Sequence, residues 1–388
     1  MFLWHSWRHL GARCRGPRRF ATLAEDVATY ANMKPTPVNL HSWLAELIEP
    51  VQIAKFLSNE MPVRYAERIR SIESLPDWEG ITELVEAHRI QLAAFQRFLE
   101  LSRNQDFSVQ TCKPVIKAVQ AEDKMTKNHL MLAARSLRSH RGSDSFEDPF
   151  TVELNKFLND FLLSRLGCNM LMGQYLACAS STSPQPHGIV SPQCDAFEIC
   201  GKAADEVMRR CEISQGRSPK ICVEAFTMTG RTVTQGEVPR FSYIPGILMH
   251  IVRELLKNSC QATLELAKSE AELSNLPIHV VVCADKRHVV IRITDRARGI
   301  PRHASSKIWS YLYSGSPTAM AGLSFGLGIG LPLSRLHAKY LGGSLDLVSL
   351  PGFGVDAYLS LPRVETDLVE NVPDLDDDPA QEINLLTL

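Results

Sequence analysis

Glu254 and Asn258 stand four residues apart in Glu254-Leu-Leu-Lys-Asn258, so on a helix both project from one face. An asparagine carbonyl oxygen suits Mg²⁺, a hard cation held by few protein oxygens together with phosphate and water. A carboxylate one turn earlier can accept the proton of an attacking hydroxyl. Asp295 follows the apolar run Val289 to Thr294 and precedes Gly299; a carboxylate at a strand end can accept the exocyclic amine of adenine. Gly326-Leu327-Gly328-Ile329-Gly330 runs into Leu331-Pro332-Leu333-Ser334. Its glycines let backbone approach phosphates, and Pro332 suits a first helical turn, whose free N–H groups attract anions. The spacing is neither the dinucleotide fingerprint nor a P-loop, since no G-K-[ST] follows. Gly352 to Ala357 reads as a hairpin turn. Singly, these elements have plainer readings: a solvated helix face, a turn aspartate, a flexible hinge. Together they can build one nucleotide site.

Positioning them requires a long helix from Pro245 to about Leu273, seated by Ile247, Ile251 and Leu255. A hairpin follows, Ile278 to Ala284 and His288 to Thr294, turning at Asp285-Lys286-Arg287. A short helix, Leu331 to Leu341, is closed by Gly342-Gly343 and leads to strands Ser344 to Leu350 and Val355 to Leu361. A helix over about Ala196 to Cys211 and a strand, Ile221 to Phe226, precede this set. Upstream the spacing is helical: a segment opened by Met61-Pro62 and ended at Pro76, then Ile81 to Leu101, Thr111 to Leu137 and Val152 to Leu176. The expected fold class is α + α/β: a helical bundle of the four-helix type over 35–177, a Ser/Pro-rich connector over 178–193, and an α/β sandwich over 194–362.

The 388 residues suit two domains, and a net charge of −1 argues against a dedicated nucleic-acid binder. Ten cysteines without a C-x-x-C pair read as free thiols of a reducing compartment. Residues 1–24 carry Arg8, Arg13, Arg15, Arg18 and Arg19 and no acid. Trp4, Trp7 and Leu10 add an apolar stripe, and this is the composition of a mitochondrial presequence or, alternatively, of a disordered basic arm. The uncharged run between Lys307 and Arg335 is long enough to cross a bilayer. Its Gly, Ser and Pro content makes it a loop, and no membrane span is expected. Residues 363–388 form an acidic tail with no Lys or Arg after Arg363.

In this order and spacing the chemical elements resemble the ATP-binding fold shared by sensor histidine kinases, Hsp90-type chaperones, type II topoisomerases and MutL proteins. Glu254-Leu-Leu-Lys-Asn-Ser-Cys-Gln-Ala-Thr263, Ser310-Tyr-Leu-Tyr-Ser314, Gly326 to Arg335 and Gly352 to Ala357 more narrowly resemble the mitochondrial 2-oxoacid dehydrogenase kinases. So do Met61-Pro62-Val63-Arg64 and the stretch from Phe157 to Arg165. The resemblance implies a histidine-kinase-like ATPase sandwich behind a helical bundle, using ATP and Mg²⁺. It further implies a serine kinase of the mitochondrial matrix that phosphorylates and inactivates a decarboxylase subunit, with the pyruvate complex favoured. Its partners would be that subunit, the lipoyl-bearing acyltransferase core and a second copy of itself, with no nucleic acid. By the same resemblance Glu254 is the general base, Asn258 holds Mg²⁺ and Lys257 lies near the phosphates. Asp295 and Gly299 form the adenine box, and Ser314 contacts nucleotide from a lid over about Ile308 to Leu323. Gly326, Leu327, Gly328, Ile329, Gly330 and Leu331 wrap the triphosphate.

The sequence departs from the family at several points. The adenine box reads Asp295-Arg-Ala-Arg-Gly299 where the family has D-x-G-G-G. If the first glycine must take a positive φ, Ala297 would cost on the order of 1 kcal/mol. Val355 replaces a threonine and Gln261 an arginine. The bundle histidine that the family places near the active site has no counterpart in register; His129 lies in that region. The tail lacks the family's Asp-Trp pair. A catalytically weak pseudokinase, or a nucleotide-gated binding module on the same complex, is therefore the alternative reading.

Overall fold

Glu49-Pro50 begins the first long helix, because proline at the first helical position needs no N–H acceptor and its φ is already helical. In the computed structural model this helix, α2, spans Pro50–Glu73. Residues 23–38, 48–141, 145–180, 188–229, 232–235, 238–285, 287–313 and 328–363 are described. The remaining helical elements of the N-terminal half are α1 (Leu23–Ala31), α3 (Thr82–Asn104), α4 (Val109–Asp123), α5 (Thr126–His140) and α6 (Pro149–Cys178). The presequence reading falls almost wholly outside the described residues, and the acidic tail beyond Arg363 wholly so.

Two expectations here need correction. Pro62 does not open a helix but sits inside α2. It removes one N–H donor; nearby, Ser58 Oγ donates to the Lys55 carbonyl at 2.9 Å. Two turns of α2 are fixed by a buried pair, Arg64 to Glu60 at 2.8 Å, which also receives the Thr36 amide at 2.8 Å. The single helix expected over Thr111 to Leu137 is two, broken at Lys124–Met125. Asp123 ends α4 buried and pairs with Arg165 of α6 at 2.7 Å.

The C-terminal half is a six-stranded sheet of order β3-β2-β5-β6-β8-β7. Its strands are β2 (Ile221–Thr229), β3 (Thr232–Gln235), β5 (Ile278–Ala284), β6 (His288–Asp295), β7 (Ser344–Leu350) and β8 (Gly354–Pro362). β2 and β5 run parallel and the other pairs antiparallel. A separate ribbon pairs β1 (Ser191–Cys194) with β4 (Phe241–Tyr243), neither of which the sequence pattern announced. Three helices, α7 (Ala196–Gln215), α8 (Pro245–Leu266) and α11 (Gly330–Tyr340), pack on the sheet. Val280, Val282, Ile291, Ile293 and Leu359 are buried among the core residues. The helix expected to run on to Leu273 stops at Leu266, and a short α9 (Glu270–Ser274) follows, capped by Ser269. A further short helix, α10, covers Arg302–Ser305.

The halves meet where α6 touches the segment 308–313. Asn155 Oδ1 accepts from Ser310 Oγ at 2.9 Å and from the Tyr311 amide at 3.0 Å. The Tyr311 hydroxyl donates to Asn159 Oδ1 at 3.3 Å.

Candidate active site

Helix α8 carries the first group of candidates because its sequence separates two faces. Ile247, Leu248, Ile251, Val252, Leu255 and Leu256 are buried, while Asn258 is exposed. Glu254 lies between, and Lys257 Nζ donates to both its carboxylate oxygens, at 3.0 and 2.9 Å. The pair is mostly shielded from water, with 16% of the Glu254 side chain and 12% of the Lys257 side chain exposed, so its charges are weakly screened. Asn258 makes no side-chain hydrogen bond among the described residues, which leaves its carboxamide oxygen free for a ligand. A lone neutral oxygen donor of this type fits Mg²⁺ that takes its other ligands from phosphate and water.

The glycine-lined segment meets this helix directly. A Cβ built on Gly330 would lie 2.6 Å from Glu254 Oε2, so the first residue of α11 is pressed against the carboxylate. Gly328 has φ 73°, a left-handed turn into the helix. The first-turn amides of α11 have no intrahelical acceptor, and such a helix end favours an anion. At its other end Gly342 has φ 71°, and Gly343 donates to the Ala338 carbonyl at 3.0 Å, closing the helix as the sequence indicates. Of the expected phosphate segment, Gly330 stands beside Glu254, with Gly328 and Ile329 leading into it and Leu331 following in α11; Ser314, Gly326 and Leu327 lie outside the described residues.

Asp295 ends β6, is 4% exposed, and is tied to α8 by Ser259 Oγ, which donates to its Oδ2 at 2.9 Å. The Ala297 amide donates to Oδ1 at 3.1 Å. Burial raises the carboxyl above its ordinary pKa, with bonds from Ala297, Ser259 and Val355 pulling the other way. These three donors leave one of the carboxylate's four lone-pair sites for an amine donor.

The backbone strain foreseen at Ala297 is located one residue on. Ala297 has no positive φ, whereas Arg298 has φ 64° and Gly299 φ 72°. The reason is the zipper between this loop and the β7–β8 hairpin. Arg298 N donates to Phe353 O at 3.3 Å, Gly352 N donates to Arg298 O at 2.7 Å, and the Arg296 guanidinium stacks 4.3 Å from the Phe353 ring centroid. A Cβ on Gly299 would meet Leu350 O at 2.5 Å, and one on Gly354 would collide with Asp295 O. The hairpin glycines that read as a mere turn are what let the loop after Asp295 close against it. Gln261 donates to Glu265 Oε1, one turn on in its own helix, at 3.0 Å.

The structure adds groups that the sequence did not single out. His250, one turn before Glu254, packs against His337 of α11 with ring centroids 4.6 Å apart. Burial and neighbouring cations hold His250 at about 4, and burial holds His337 at about 3, so both are neutral near pH 7. His337 Nδ1 donates to Leu333 O at 2.7 Å. In α5 both Lys127 and His129 are half-buried, and burial together with Arg165 and Lys257 pushes the Lys127 ammonium below its ordinary pKa. Two residues along a helix is a rotation of about 200°, which separates the two.

The family model described as mitochondrial branched-chain alpha-ketoacid dehydrogenase kinase matches residues 41–191. The one described as histidine kinase-, DNA gyrase B- and HSP90-like ATPase matches residues 244–365. The chain is 28% identical to pyruvate dehydrogenase (acetyl-transferring) kinase isozyme 4, mitochondrial, of Ictidomys tridecemlineatus, over 96% of this chain and 90% of that one. Identity to isozyme 1 of Mus musculus is 26%, over 92% and 84%. Identity to human isozyme 4 is 28%, over 90% and 86%.

Proposed function

From the membership of this chain in the mitochondrial 2-oxoacid dehydrogenase kinase family, we propose that it is a pyruvate dehydrogenase kinase, a protein serine kinase that spends ATP. The observation that carries the reading is the contact of Gly330 with Glu254, which sets an anion-binding helix end against a carboxylate held by Lys257.

In this mechanism Asp295 accepts from the adenine amine, and the first-turn amides of α11 with Gly328 to Leu331 hold the triphosphate. Asn258 supplies the protein oxygen for Mg²⁺, which when bound neutralises phosphate charge. Glu254 accepts the proton of the substrate serine as its oxygen bonds to the γ-phosphorus and the bond to ADP breaks. Lys257 fixes the Glu254 carboxylate and limits its motion. Catalysis is then mostly positioning and charge neutralisation, as phosphoryl transfer requires.

The finer parts of the reading are that residues 1–24 direct the chain to the matrix and that the decarboxylase subunit is the acceptor, on a lipoyl-bearing core. The sheet face that bears exposed Val348 and Leu350 supports a homodimer; sedimentation at the monomer mass would exclude it. The function is tested by incubating purified protein with labelled ATP·Mg²⁺ and each purified decarboxylase subunit. Label on the pyruvate enzyme's subunit, absent with Glu254→Gln, is expected. ATP binding without label on any subunit would overturn the assignment.

A further inference from the structure

Ser259 spends its hydroxyl in a way that the helix around it does not require. It follows Asn258 in α8 and is 8% exposed, on the buried side of the helix. Serine is a poorer helix former than alanine, and inside a helix its hydroxyl ordinarily donates to the carbonyl four residues back. Thr263 does this, donating to the Ser259 carbonyl at 2.8 Å. Ser259 does not. Its single proton goes to Asp295 Oδ2 at 2.9 Å, which joins two buried side chains 36 positions apart in the chain.

The remaining grips on Asp295 come from backbone. Val355 stands opposite it in the β6–β8 register and has only its main chain to offer. The neighbouring Thr294 Oγ1 donates to Asp356 Oδ1 at 2.6 Å, which further ties the end of β6 to β8. The Ala297 amide holds Oδ1 at 3.1 Å, and the Arg296 guanidinium donates to the Asp295 carbonyl, not to its carboxylate. Among the described residues, Ser259 is the one side chain that donates to this carboxylate. The terminal torsion of an aspartate is broad, so the plane of its carboxylate is set by what grips each oxygen. Ser259 is the grip that comes from α8.

We propose that Ser259 is a positioning residue for the choice of nucleotide base. By fixing the Asp295 carboxylate in one orientation, it makes the site prefer a purine with an exocyclic amine over one with a carbonyl at that ring position. This rests on the kinase reading and on its placement of adenine at Asp295. An ionised carboxylate only accepts hydrogen bonds. The amine supplies a proton to it, whereas a carbonyl sets two acceptors against each other and leaves buried oxygens unpaired. Without the Ser259 hydroxyl the carboxylate is free to turn, and both the gain from the amine and the penalty on the carbonyl shrink.

The test is calorimetric titration of the full chain with ATP·Mg²⁺ and, separately, inosine triphosphate·Mg²⁺, for wild type, Ser259→Ala and Ser259→Thr, alongside the transfer assay. Ser259→Ala suits the helix and removes the hydroxyl. The preference for ATP over inosine triphosphate should fall by about tenfold in it. Ser259→Thr keeps the hydroxyl and should hold the preference within about threefold of wild type. An unchanged ratio of the two affinities in Ser259→Ala, whether both weaken together or neither does, would mark a bond that only fastens α8 to β6 and overturn the proposal. So would a wild type that binds the two nucleotides equally. A wild type that transfers phosphate while Ser259→Ala keeps the ATP preference leaves the kinase assignment standing and removes this one. A wild type whose ATP preference depends on Ser259, but which labels no decarboxylase subunit, does the reverse.

Discussion

Gly330→Ala separates the stability of this protein from its chemistry. Gly330 has no positive φ and begins α11, so alanine is allowed by the backbone and is the better helix former by up to about 1 kcal/mol. Its added methyl would, however, stand 2.6 Å from Glu254 Oε2. Reaching an ordinary contact distance requires the carboxylate to retreat by about 1 Å. The two bonds from Lys257 oppose that retreat, so the carboxylate moves with its partner or breaks from it. Misplacing a reacting group by about 1 Å costs on the order of 100-fold in rate, equivalent to ~2.7 kcal/mol of barrier. The expected result is a thermal midpoint unchanged or slightly raised, ADP affinity near wild type, and kcat for decarboxylase-subunit phosphorylation down by about 100-fold. Stopped-time phosphorylation assays and a thermal melt on the same preparation measure all of this. Unchanged kcat in a folded variant would refute the placement of Glu254 at the reacting oxygen.

Three further perturbations follow from the same geometry. Arg298 holds φ 64°, so Arg298→Gly should be more stable than Arg298→Ala by about 1 kcal/mol in urea unfolding; equal midpoints would show that the loop does not store this strain. An unfolded imidazole protonates near 6.5, while folded His250 does so at about 4 and His337 at about 3. Both therefore stabilise the fold above pH 6.5, and this is lost on acidification at about 1.4 kcal/mol per pH unit per imidazole. His337→Phe should flatten the pH dependence of the urea midpoint between pH 7 and 5, and parallel curves would contradict the burial argument. Asn155→Ala leaves the Tyr311 amide and Ser310 hydroxyl without their acceptor, a loss of about 1–3 kcal/mol, and should speed hydrogen exchange at Tyr311 and raise KM for ATP. Wild-type exchange there would mean that the two halves are not clasped at this point.

Much of the fold was legible where one signal dominated. β7 was read with its observed ends because its Leu/Val alternation is bounded by Gly342-Gly343 and Pro351, and the β5–β6 hairpin because Val and Ile crowd both strands. β1 and β4 escaped notice because four- and three-residue strands carry too little pattern. Pro62 was misplaced because a proline inside a helix and one at its start look alike in sequence; the buried Glu60–Arg64 pair that holds the turn is visible only in three dimensions.

The site divides in the same way. That Glu254, Lys257 and Asn258 share one stretch of helix was legible from local spacing, whereas the contact of Gly330 with Glu254 joins segments distant in the chain and was not. The strain at Arg298 rather than Ala297 is set by the hairpin it zips to, more than fifty residues downstream. His250 and His337 come together from two helices, a relation that no spacing within one segment encodes.

The proposed mechanism requires one adenine nucleotide held between α8, the end of β6 and the start of α11. Calorimetric titration of the full chain with ATP·Mg²⁺ examines that most directly, with Asp295→Asn as the paired variant, because Asp295 is buried and joins α8, through Ser259, to the loop, through Ala297. Saturable binding of one ATP per chain is expected, weakened by about tenfold or more in Asp295→Asn. No heat of binding from the folded wild type at millimolar ATP, or equal affinity in the variant, would contradict it.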